Sequence, residues 1–82
     1  MAQQFNPQNV KTRYSTLIFI KGSTAPLVMY VEDYQSLYEE LTQAMKNTTP
    51  VIIEKETAGP LKKVSFVSNQ IAAVAIQEEQ YM

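Results

Sequence analysis

Residues Asp33 to Lys46 read DYQSLYEELTQAMK, and their spacing decides the fold. Tyr34, Leu37, Tyr38, Leu41, Ala44 and Met45 recur at steps of three and four, which draws one apolar stripe along an α-helix. Gln35, Glu39, Gln43 and Lys46 occupy the opposite, water-facing side. Asp33 is the expected N-cap, its carboxylate taking amide hydrogens that the first turn cannot pair internally. Glu32 and Asp33 at the start and Lys46 at the end complement the helix dipole. Asn47 is expected to end the helix in a left-handed conformation, and Pro50 forbids its return. A helix this short is marginal alone in water, so its stripe needs an apolar sheet to lie on.

The flanking chain supplies strands. Arg13–Lys21 is rich in β-branched and aromatic residues, and Leu17 to Ile20 is apolar on both faces, as in an internal strand. Gly22-Ser23-Thr24 turns the chain into a second strand, Ala25–Val31, expected to pair with the first as an antiparallel hairpin. Beyond the helix, Pro50–Glu56 forms a third strand, and Thr57-Ala58-Gly59-Pro60 is a loop. Leu61–Val67 is the fourth strand, with Val64 and Phe66 on one face. Ser68-Asn69 leads to a fifth, Gln70–Gln77. The short connections predict that strands three to five form an antiparallel meander. Ala73 and Ala75 are expected to face the helix, making room for Tyr38 or Met45, and Gln77 to Gln80 to end the sheet in solvent. The fold class is therefore α+β, one amphipathic helix on a mostly antiparallel five-stranded sheet, open or curled into a partial barrel. Residues 1–10 read as a flexible N-terminal arm and 11–80 as a single domain.

Composition narrows the chemistry. The 82 residues include no cysteine and no histidine. Disulfides, thiolate ligands and thiol nucleophiles are thereby excluded, as are the commonest general base and metal ligand. Only Gly22 and Gly59 are glycines, too few for a phosphate-binding loop. The acidic pairs Glu32-Asp33, Glu39-Glu40 and Glu78-Glu79 are neighbours whose side chains diverge, poorly suited to metal binding or acid–base work. No catalytic, metal or cofactor residue is assigned, and the expectation is a protein that is not an enzyme. The net charge of −1 gives no general attraction to nucleic acid or membrane. No apolar run suits a bilayer, no secretory signal is evident, and cytoplasmic residence is the expectation.

Two binding readings remain. A domain this small with strands apolar on both sides holds more apolar surface than one helix can cover, which points to association with itself or another protein. Tyr14, Met29, Tyr30 and Phe66 are the candidate interface residues, being types enriched at interfaces. The alternative is a lysine-rich sheet face for nucleic acid, using Lys11, Arg13, Lys21, Lys62 and Lys63.

The ordered series Ala25-Pro26-Leu27-Val28, Gln35-Ser36-Leu37-Tyr38, Ala44-Met45, Thr49-Pro50, Lys62-Lys63-Val64, Ile71-Ala72-Ala73-Val74 and Gln77-Glu78 resembles a family of short uncharacterised proteins. That family is found mainly in cyanobacteria and some algal plastids. The resemblance covers roughly Leu17 to Glu79. The chain departs from the family in its longer N-terminal arm, in the Gly59-Pro60 loop and in lacking a third-strand cysteine. The resemblance implies no assigned activity, so no residue takes a role from it.

Overall fold

A computed structural model, describing residues 11–81, builds the helix where the stripe requires it. α1 spans Tyr34–Lys46, and the Asp33 carboxylate accepts the Ser36 amide hydrogen at 3.1 Å. Leu37 and Leu41 are its buried residues, while Met45 at the end of the stripe is exposed. The C-terminus differs from expectation. Asn47 is extended, with φ −78° and ψ 131°, and donates its amide to the Ala44 carbonyl. Its side-chain oxygen accepts the Thr49 amide at 3.1 Å, so a local side-chain turn replaces the left-handed cap.

Five strands accompany the helix: β1 Lys11–Ile20, β2 Leu27–Met29, β3 Ile52–Glu56, β4 Lys63–Val67 and β5 Ile71–Tyr81. This is the expected α+β class and the expected chain order. β1 and β2 form the antiparallel hairpin, with Leu17 opposite Val28. β3 and β4 pair antiparallel with Ile53 opposite Phe66. The strands form two ladders, β2-β1-β5 and β3-β4, joined by a single bridge between Tyr30 and Ala58. Among the described residues these ladders do not close into a barrel.

The expected meander of the last three strands is corrected: β5 pairs with β1, not β4. A 3-10 turn at Ser68–Gln70 redirects the chain. Ser68 anchors that turn, accepting the Val51 amide on Oγ at 2.9 Å and donating its own amide to the Val51 carbonyl at 2.8 Å. β1 then offers β5 a partner of ten residues, twice the five of β4. Pairing runs from Lys11 opposite Tyr81 to Ile20 opposite Ile71. The acidic segment that was expected to end in solvent continues as strand, with Glu78 opposite Tyr14 and Glu79 opposite Arg13.

Directly opposed residues share a face, so the register assigns the two sides of the β2-β1-β5 sheet. Ile18, Met29 and Val74 turn towards α1 and join Leu37, Leu41, Ile53, Val64 and Phe66 in one core. Each such large side chain contributes roughly 1.5–3 kcal/mol through burial. The register shift between Phe19 and Ile20 brings Ile71 into that core as well, although strict alternation would group it with Ala73 and Ala75. The alanine prediction is thereby corrected. Ala73 lies opposite Phe19 and Ala75 opposite Leu17, on the side away from the helix. The predicted arm at residues 1–10 lies outside the described residues.

Candidate interaction surface

The outer side of the β2-β1-β5 sheet divides into a polar and an apolar half. In the polar half, Arg13 lies across the strand pair. Its Nε donates to Glu79 Oε1 at 2.9 Å, and its Cζ stands 4.3 Å from the Tyr30 ring centroid and 5.2 Å from that of Tyr81. Ser15 Oγ donates to Glu79 Oε2 at 3.0 Å, and Tyr30 Oη donates to the same carboxylate at 3.1 Å. Desolvation pushes the Glu79 carboxyl up, but hydrogen bonds from Arg13, Ser15 and Tyr30 outweigh it and hold the group below its ordinary range. The hydrogen bond to Glu79 raises Arg13 above its already high value. Every charge in this cluster has a partner within the chain.

The apolar half follows along the same strands. Phe19 and Ala73 are exposed, and Leu17, Val28 and Ala75 are half-buried. These residues oppose one another in the ladder, which makes the patch continuous across all three strands. Small alanines beside Phe19 leave it flat and open to close approach. The strand's apolar character on both faces foretold such a surface, but no local signal showed which face the helix would leave open.

The four residues first assigned to an interface separate. Met29 is fully buried and Phe66 nearly so, both in the core, because the ladders turn them towards α1; their assignment to an external interface is corrected. Tyr14 is partly exposed, on the helix side, stacked on Tyr34 with ring centroids 4.6 Å apart. Tyr30 is half-buried and belongs to the polar cluster, and Gly59 presses against its ring. A Cβ at Gly59 would come within 2.8 Å of Tyr30 Cδ2, and the residue holds φ +99°.

The five basic candidates do not form one face. All are exposed, but Lys21 follows the end of β1 opposite to Lys11 and Arg13, roughly 30 Å away for a strand of this length. Arg13 is held by Glu79, and Lys63 is paired with Glu54 at 2.9 Å. The basic residues expected to share one sheet face are thus split along the sheet and partly neutralised.

A shallow open cleft of about 220 Å³ lies beside the start of α1, between Val31, Leu37, Asp33, Glu40 and Lys55. Its charged groups are engaged: Asp33 caps the helix and Glu40 pairs with Lys55 at 2.8 Å. Among the described residues no helix is long and apolar enough to cross a membrane. A model described as the UPF0367 protein family matches residues 18–79. No curated protein and no solved structure matches the chain.

Proposed function

The chain belongs to the UPF0367 protein family, and from that premise we propose that it is a non-catalytic, cytoplasmic protein–protein association module. The observation that carries this reading is the outer apolar half of the β2-β1-β5 sheet, where exposed Phe19 and Ala73 adjoin Leu17, Val28 and Ala75. A contiguous apolar patch bordered by polar groups is the usual form of a protein contact surface. The neighbouring Arg13–Glu79–Tyr30 cluster supplies such a border, with its charges internally satisfied.

The test is capture of partners from extracts of the source organism with the tagged chain and with a Phe19→Lys variant, each with and without nuclease. A protein retained in fixed proportion through nuclease and moderate salt, and lost with Phe19→Lys, is the expected result. A partner indifferent to Phe19→Lys would overturn the assignment of this face. Nucleic acid recovered with the chain, falling steeply as salt rises, would replace the reading with the lysine-based one.

A further inference from the structure

We infer that the free edge of β5 pairs antiparallel with the same strand of a second copy, about a two-fold axis at Ile76. The inference rests on the association reading and names one occupant for it. β5 is the outer strand of its ladder, and among the described residues nothing pairs with its other edge. It runs for eleven residues, IAAVAIQEEQY, without lysine, arginine, proline or glycine. Lysine and proline are devices that ordinarily prevent an edge from recruiting another strand, and the stretch Ala73 to Gln77, between the register shift and Glu78, carries no charge at all. The other long pair lacks this openness, since β3 and β4 carry Glu54, Lys55, Glu56 and Lys63. β2, at the opposite side of the ladder, has three residues, with Tyr30 beyond it already bridged to Ala58.

The charge pattern is compatible with a second copy, because antiparallel self-pairing sets the acidic end of one strand against the uncharged end of the other, and it restricts the register. A symmetric antiparallel pair must centre on a residue, because only residues of like parity along a strand meet across the ladder. Centring on Glu78 or Glu79 would oppose like charges, which destabilises a strand pair. Centring on Ile76 sets Glu78 opposite Val74 and Glu79 opposite Ala73, so that Ala73 to Glu79 pair in regular register, clear of the shift that turns Ile71 inward. About six to eight backbone hydrogen bonds result, within the range that an ordinary protein interface carries. Ile76, a large apolar side chain left 36% exposed, meets its own copy across the axis. The outer apolar patches then join into one six-stranded face.

The experiment is sedimentation equilibrium on the full chain with Ile76→Lys and Ile76→Glu, singly and mixed, each checked for native circular dichroism. The wild type should dimerise, and each variant alone should associate about ten-fold more weakly or worse, through like charges at the axis. Mixing the two should restore association. An Ile76→Cys chain, whose introduced thiol is its only one, should oxidise to a linked dimer, since opposed strand residues lie within disulfide reach. Ile52→Cys, on the exposed side of β3, should not. A wild type monomeric through the upper micromolar range, or Ile76→Cys no faster to link than Ile52→Cys, would overturn the self-pairing. Loss of a captured partner in Phe19→Lys alongside a monomeric wild type would leave the association reading standing and reject this inference alone.

Discussion

The β3–β4 hairpin and the β1–β5 ribbon are both antiparallel pairs, yet they treat their two sides differently. In the hairpin, burial alternates strictly along β4, with Val64 and Phe66 inside and Lys63, Ser65 and Val67 outside. The outside is charged and tied by the Lys63–Glu54 ion pair. The ribbon is apolar on both faces around Leu17 to Phe19 and becomes polar only beyond Ser15 and Gln77. A pair with one wet side has one way to face. A pair with two apolar sides must have its choice made by the rest of the molecule, and the side not chosen remains as a contact surface.

The sharpest way to break this contrast is to truncate adjacent residues of β4. Phe66→Ala should cost about 3–5 kcal/mol, since it empties the core, whereas Val67→Ala should stay within about 0.5–1 kcal/mol of wild type. Denaturant unfolding reads both, and equal losses would mean that the hairpin is not one-sided. A smaller effect separates the loops that close the two regions. Gly59→Ala combines a left-handed backbone with a Cβ against Tyr30 and should destabilise by about 2–3 kcal/mol. Gly22→Ala, at φ +81° with open space around it, should cost about 1–2 kcal/mol. Equal costs would mean that the Gly59–Tyr30 contact contributes nothing at the junction between the ladders.

The smallest effect concerns pH. Glu79 is held below the ordinary carboxylate range, so its contribution is present above about pH 4.3, the unfolded value. It is lost as acid protonates the folded group. Arg13, shifted upward, stays charged throughout that window. Thermal midpoints followed from pH 6 downwards should therefore fall less steeply in Glu79→Gln than in wild type. Parallel slopes for the two chains would show that the ribbon cluster is not coupled to folding through Glu79.

These contrasts also mark which residues could be interpreted locally. Leu37 and Leu41 follow from helical spacing, the Asp33 cap from a carboxylate ahead of an apolar stripe, and the sides of β4 from alternation. Met29 and Phe66 were misassigned because residue type, which favours both cores and interfaces, does not say which side of a strand faces inward. The segment Ile71 to Ile76 is apolar at every position, so it suits β4 or β1 as neighbour and either face as core. The shift opposite Ile20 that brings Ile71 inward has no glycine or proline to announce it. Glu78 and Glu79 resemble a strand end by charge. Their backbone pairs nonetheless, because Lys11 to Ser15 extend far enough to meet them.

By itself the sequence determined the α+β class, the single capped helix, the five strands in order and an excess of apolar surface. These depend on periodicity and on backbone preferences that act within a few residues. Tertiary structure alone decided that β5 joins β1, that Phe19, Ala73 and Ala75 turn away from the helix, and that the basic residues are split along the sheet. Strand pairing is a competition among distant edges, and its outcome depends on the core that every element builds together. A one-residue change of register exchanges the faces of a strand, so the identity of the exposed face emerges only when the ladders have closed.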